Sequence, residues 1–175
     1  MNNTINYLRG DATLPTLRPA AIIHICNDAG GWGKGFVLAI SARWKTPETQ
    51  YRNWAKRTSA SPADARNYPA AAIHDNLFAL GNITAVRVEP DLWVVNMIAQ
   101  HGYRSKDNPI PVRYDALETC LQKVYAWAKD LGLSLHLPQI GAGLAGGDWT
   151  RIEALILAAM TTAGEAKVPT TVYLR

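Results

Sequence analysis

HICNDAGGWGKGF, residues His24 to Phe36, holds a strand end, a turn and a helix start in one short run. The apolar run ends at Cys26 and the polar pair Asn27 and Asp28 follows. Gly30, Gly31, Gly33 and Gly35 then surround Trp32 and Lys34, before an apolar helical pattern opens at Phe36. Glycine has no Cβ and tolerates positive φ, so such a turn leaves backbone N–H groups unpaired and open to an anion. A lone glycine cluster reads equally as a loose helix entry. What separates the two readings is a second cluster of the same form.

That cluster is GAGLAGGDW, Gly141 to Trp149. The apolar run Leu133–Ile140 leads into it, and a helix with Ile152, Leu155, Ile156, Ala159 and Met160 at helical spacing leaves it. Either Asp148 caps this helix or Thr150 does so, with Glu153 closing a capping box. Two glycine turns at the carboxyl ends of two strands converge on one crevice, because ligands of open α/β sheets bind outside that edge.

Outward from the two turns the chain reads as mixed α/β. Thr4 to Leu8 is a short strand ended by Gly10-Asp11, and Ala20 to Cys26 is an apolar strand of a sheet covered on both faces, with His24 a core histidine. Phe36 to Trp44 is a helix, and Thr46-Pro47-Glu48 opens another with Thr46 as N-cap. The run from Arg57 to Asn76 has no sustained period and reads as a surface excursion. Ile83–Val88 and Leu92–Ala99 form an antiparallel hairpin, and Gln100-His101 opens a polar loop to Pro111. Val112–Leu131 is a helix stopped by Gly132, and Val168–Leu174 is the last strand. The expected fold is a three-layer α/β/α sandwich around a mixed sheet of about six strands, as one domain over residues 1–175.

Composition narrows the function. At 175 residues and 48% hydrophobic the chain fits one substantial core. No apolar segment approaches the roughly 20 residues that span a bilayer, and no signal peptide is evident, so a soluble cytoplasmic protein is expected. Cys26 and Cys120 lack CxxC spacing, which suggests neither a disulfide framework nor a metal site. A net charge of +4 favours phosphate-bearing ligands without marking a nucleic-acid binder. The first turn fails the P-loop template, since Lys34 precedes Gly35 rather than Ser or Thr. The second matches G-x-G-x-x-G at Gly141, Gly143 and Gly146, but too little chain follows for a dinucleotide-binding domain, whose ribose-binding acid lies about 20 residues on.

Taken together, INYLRGD at 5–11, HICNDAGGWGKG at 24–35, VVNMIAQH at 94–101, LHLPQIGAGLAGGDW at 135–149 and TVYLR at 171–175 resemble the macro domain, the module that binds ADP-ribose. The likeness covers nearly the whole chain. It is nearest the subgroup containing the macro domain of a chromatin-remodelling ATPase, an ADP-ribosyl-glutamate hydrolase and a bacterial antitoxin that removes ADP-ribose from DNA. The resemblance implies that Asp11 accepts the adenine amino group and that Gly31, Trp32, Gly33, Lys34, Gly35 and Phe36 wrap the diphosphate and distal ribose. It implies that Gly141, Ala142, Gly143, Leu144 and Ala145 supply further N–H groups, and that Asn27, with Asp28 and Gln100 close by, sits at the distal ribose.

The hydrolase's catalytic lysine falls on Gln100 and its aspartate on Ala145, so any catalysis must come from other groups. Asp28, Lys34, His101 and Asp148 are the polar candidates, each with a plain alternative as cap, counter-charge or strand end. His101 and Asp148 are expected to carry hydrolysis. A chain with no attached output module is expected to act on ADP-ribosylated protein, nucleic acid or metabolite as a monomer without cofactor. Nucleic acid enters only as the modified acceptor, and a non-catalytic binder is the alternative.

Overall fold

A computed structural model describes residues 4–57, 75, 77–164 and 167–175. The expected excursion between Arg57 and Asn76 lies, apart from Arg57 and Asp75, outside the described residues. In chain order the elements are β1 (Ile5–Arg9), β2 (Ala20–Asn27), α1 (Phe36–Arg43), α2 (Thr46–Lys56), β3 (Ile83–Glu89), β4 (Leu92–Gln100), α3 (Tyr114–Leu131), β5 (Ser134–Pro138), α4 (Trp149–Thr162) and β6 (Thr170–Leu174).

The strands form one sheet in the order β1-β6-β5-β2-β4-β3. All neighbours run parallel except the β3–β4 hairpin. Because side chains alternate across a strand, β2 sends Ala20, Ile22 and Cys26 to one face and Ala21 and Ile23 to the other. The first set packs under Val37 and Ile40 of α1 and Tyr51 of α2. The second packs against Leu117, Leu121, Val124 and Ala128 of α3 and Ile152 and Ile156 of α4. This is the expected three-layer sandwich. Each fully buried aliphatic side chain contributes about 1.5–3 kcal/mol, so the larger α3–α4 cluster carries most of the stability.

Three boundaries differ from expectation for local reasons. Helix α3 starts at Tyr114 because Val112 is taken into an antiparallel bridge with Gln100, and its N–H goes to Ala145 O at 3.1 Å. Strand β5 stops at Pro138 because the Ile140 N–H turns back to the Pro138 carbonyl at 2.7 Å. Thr46 lies inside α2, and the half-turn residue before it is Lys45, with no side-chain cap. As expected, Gly132 ends α3 in the left-handed conformation, φ 66°.

Strand β2 ladders with β5 only from Ala20–Ile22 against Ser134–His136, although both strands run on. With five parallel strands, the loops after β1, β5, β2 and β4 all leave from the same edge of the sheet, and the two glycine turns sit at its middle.

Candidate functional site

The first glycine turn is built by one side chain. Asn27 Oδ1 accepts from the backbone N–H of Ala29 and of Gly31, both at 3.0 Å, and from the Tyr51 hydroxyl at 2.9 Å. Its Nδ2 donates to Gly31 O at 2.9 Å. Tyr51 also donates to Asn27 O at 2.6 Å, and burial pushes its phenol up, so it stays a neutral donor. Trp32 turns inward: its indole is buried, donates to Ser41 Oγ at 2.7 Å and packs edge-on against His24. With the turn pinned at both flanks, the backbone N–H groups of Gly33, Lys34 and Gly35 meet no acceptor among the described residues. They run directly into the N-terminus of α1, which has no side-chain cap and no acid in its first turn. An electropositive backbone concavity results.

The second turn is built by the backbone itself. Gly147 N–H closes on Gly141 O at 2.7 Å and Gly146 N–H on Gly143 O at 3.0 Å. Positive φ at Gly141 (72°) and Gly146 (69°) makes the path possible. The N–H groups of Gly143, Leu144 and Ala145 meet no acceptor among the described residues. The two turns face each other closely: a Cβ at Gly35 would lie 3.3 Å from Leu144 Cδ1.

Beside them lies an open cleft of about 240 Å³, lined by Gly10, Asp11, Ala12, Phe36, Ala39, Pro138, Tyr173 and Arg175. Asp11 is held from both sides. Its Oδ1 accepts from Thr13 N (2.8 Å) and Thr13 Oγ1 (2.7 Å), and Oδ2 stands 3.4 Å from the Arg43 guanidinium. Partial burial works against ionisation of Asp11, but the Thr13 bonds and Arg43 outweigh it and keep the carboxyl below its usual range. The carboxylate is therefore an ionised acceptor, with Oδ2 the less occupied oxygen.

No family model matches the chain. It is 46% identical to a macrodomain protein from Streptomyces coelicolor, whose structure superposes over 98% of this chain and 99% of that one with a TM-score of 0.74. The chain belongs to the macrodomain family. It is also 31% identical, over 98% of its length, to the mouse chromodomain-helicase-DNA-binding protein 1-like, of which it spans only 18%. A more distant structure, Thermosipho africanus DarTG in complex with ADP-ribose, shares the fold at 16% identity and a TM-score of 0.63, covering 89% of this chain and 38% of that one.

Within the macrodomain edge, the residues expected to touch a ligand divide into three groups. Gly33, Lys34, Gly35, Gly143 and Leu144 are exposed, Phe36 is half-buried and Ala142 is partly covered. Asn27, Trp32 and Ala145 instead hold the turns together: Asn27 spends its amide inside the first turn, Trp32 anchors it in the core, and buried Ala145 passes its carbonyl to Val112. Gly31 is covered by Tyr103, whose ring a Cβ there would strike.

Asp148, expected to carry hydrolysis, stands at the start of α4. Its Oδ1 accepts from Thr150 N at 2.9 Å and its own N–H donates to the Tyr114 hydroxyl at 3.0 Å, so the carboxylate caps α4. His101 pairs with Asp28. Its ring Nδ1 lies 2.7 Å from Asp28 Oδ2, and Asp28 Oδ1 accepts from Gly102 N at 2.8 Å. Gln100 Nε2 donates to Gly102 O at 2.9 Å, which also secures this loop.

Sequence reasoning missed two things. Tyr173 and Arg175 line the cleft, a position that only the parallel pairing of β6 between β1 and β5 brings about. The loop from His101 to Arg113 is self-braced: Arg113 donates to the carbonyls of Ile110 and Pro111, and Asn108 Nδ2 donates to those of His101 and Tyr103. The Asn and Arg in a proline-bounded loop were the available signal. Neither cysteine is a candidate nucleophile, because burial pushes the Cys120 thiol up to about 12 and that of Cys26 well above its ordinary value.

Proposed function

We propose that this macrodomain binds ADP-ribose and hydrolyses an ADP-ribosyl bond on protein, nucleic acid or a small metabolite. The observation that carries the reading is the pair of facing glycine turns, each presenting unpaired N–H groups to one crevice, with ionised Asp11 at one end. Along the sheet edge the order is β1 with Asp11, then the β5 turn, the β2 turn and β4 with His101. Four strand spacings of about 4.8 Å separate the ends, roughly 19 Å, a span that suits a base, a diphosphate and a second sugar. Asp11 takes the exocyclic amine of adenine, the aromatic faces of Phe36 and Tyr173 flank the base, and the two turns hold the phosphates. The ADP-ribose in the related DarTG structure supports the same reading.

A second reading is a non-catalytic binder. Gln100 and Ala145 occupy the positions of the resembling hydrolase's lysine and aspartate, and Asp148 is engaged as a cap. Calorimetry with ADP-ribose, together with incubation on ADP-ribosylated substrates of several linkages scored for released ADP-ribose, separates the outcomes. Asp11→Ala is expected to weaken ADP-ribose by about 1.5–3 kcal/mol, the range for a hydrogen bond to a charged group. Inosine diphosphate ribose, whose base presents a carbonyl to the carboxylate, should bind poorly to the wild type. Equal affinity for both nucleotides would remove Asp11 from base reading. No heat with ADP-ribose would remove the binding function, and binding without release would leave the second reading.

A further inference from the structure

We propose that Asp28 and His101 form a carboxylate–imidazole dyad that activates the hydrolytic water, with Asp28 the positioning residue and His101 the base. The inference rests on the hydrolase reading and names the machinery for it at the place expected of Asp148.

Three observations carry it. First, His101 is fixed at both backbone groups and at one ring nitrogen. The His101 N–H donates to Pro111 O at 2.9 Å, its carbonyl accepts from Asn108 Nδ2 at 2.7 Å, and Nδ1 faces Asp28 Oδ2 at 2.7 Å. An ionised carboxylate only accepts, so Nδ1 carries the hydrogen, and in the neutral imidazole Nε2 keeps its lone pair. Nε2 meets no partner among the described residues, and the His101 side chain is 60% exposed.

Second, the arrangement exceeds what a latch needs. Asp28 N–H already donates to Gln100 O at 2.9 Å and its Oδ1 takes the Gly102 N–H at 2.8 Å, which ties the two loops together without the histidine. An exposed ion pair adds little to stability, so the ring's orientation is not explained by holding the fold.

Third, the dyad stands at the correct end of the crevice. Asp28 follows Asn27, whose amide brackets Gly31, and Tyr103, two residues past His101, lies over Gly31. On the sheet edge Asp11 leaves β1 and His101 leaves β4, with both glycine turns between. A ligand with its base at Asp11 and its diphosphate on the turns brings its distal ribose to Asp28 and His101.

In the reaction, the water oxygen forms a bond to C1″ of the distal ribose as the bond from C1″ to the acceptor breaks, and its electron pair stays on the acceptor. The water proton passes to His101 Nε2. A carboxylate acceptor leaves as the anion and the imidazolium proton returns to solvent; an alkoxide or base takes that proton from the imidazolium. Asp28 stays ionised throughout and steadies the imidazolium.

Asp28→Asn tests this sharply, because Asn keeps an oxygen for Gly102 N–H but presents an amide donor to Nδ1. The ring then turns to the Nε2–H tautomer, whose Nε2 cannot take the water proton. Nitrogen-15 shifts of the His101 ring should report Nδ1–H in the wild type and Nε2–H in Asp28→Asn. Turnover at saturating substrate should fall at least about a hundredfold in Asp28→Asn and in His101→Ala. Free imidazole in the buffer should restore part of the His101→Ala rate, which a merely structural residue would not allow. Wild-type turnover in either variant, or an Nε2–H ring in the wild type, overturns the dyad while the hydrolase reading stands. A wild type that binds ADP-ribose and cleaves no linkage overturns both.

Discussion

The two glycine turns do the same job by opposite means. The first is shaped by side chains: the Asn27 amide holds Ala29 and Gly31, the Tyr51 hydroxyl holds Asn27, and buried Trp32 anchors the middle. The second is shaped by backbone bonds between glycines, packed against Ile25, Val112 and Ile152. Each of the two strands that lead into the turns carries a buried histidine. His24 Nε2 is bonded to Asn96 Oδ1 at 2.6 Å and its ring meets Trp32, whereas His136 sits between Ser134 Oγ (2.8 Å) and the Tyr173 hydroxyl (2.9 Å). One turn thus depends on what surrounds it, and the other on having no side chains of its own. They should fail to different perturbations.

The largest expected effect is on stability in acid. Burial pulls both histidines down to about 4 from an ordinary value of 6.5; at His24 the Asn96 bond opposes this, and at His136 the Arg18 charge adds to it. Between those values the unfolded chain binds protons that the folded one refuses, so stability is full above pH 6.5 and is lost as pH falls toward 4. The loss is on the order of 3 kcal/mol for each histidine. Denaturant unfolding followed from pH 7 to pH 4 measures it, and His24→Gln and His136→Gln should each flatten the slope by about half. A slope unchanged in one variant would show that this histidine does not titrate with unfolding.

Next in size, Asn27→Ala should cost about 2–3 kcal/mol, since its loss strands the Gly31 carbonyl and the N–H groups of Ala29 and Gly31. Chemical denaturation reads the cost, and calorimetry should show ADP-ribose binding lost with it. If the variant is as stable as the wild type, side chains are not what shapes the first turn.

For the second turn the matching test is Gly147→Ala. The new Cβ would stand 2.7 Å from Gly141 O and 3.0 Å from Ile152 and Val112. Overpacking of this kind costs about 1–2 kcal/mol. A melting temperature equal to that of the wild type would show that the backbone loop has room the geometry denies.

The smallest expected effect falls where the turns are alike. A Cβ at Gly33 or Gly143 meets nothing within 4 Å, and neither residue has positive φ. Alanine at either position should change stability by less than about 0.5 kcal/mol. Glutamate at either should abolish ADP-ribose binding with the fold intact, because a negative side chain would lie across the phosphate path. Retained affinity in either glutamate variant would take that turn out of the site.

Local information carried the reading a long way. The continuous apolar run Ala20 to Cys26, the spacing of Leu117, Leu121, Val124 and Ala128, and the glycines after two apolar runs named the layers and both turns, since each is a pattern over a few neighbouring residues. The choice between Asp148 and Thr150 as helix cap stayed open in the sequence, because both offer an oxygen at suitable spacing. What no local pattern holds is the order of strands. Placing β6 between β1 and β5 brings Tyr173 into the cleft beside Asp11, and pairing β4 with β2 sets His101 against Asp28 across 73 residues of chain. Periodicity records which face of a strand is buried and not which strand lies next to it. The turns were therefore legible from the sequence, while the partner of His101 was decided only when the sheet brought two distant loops to one edge.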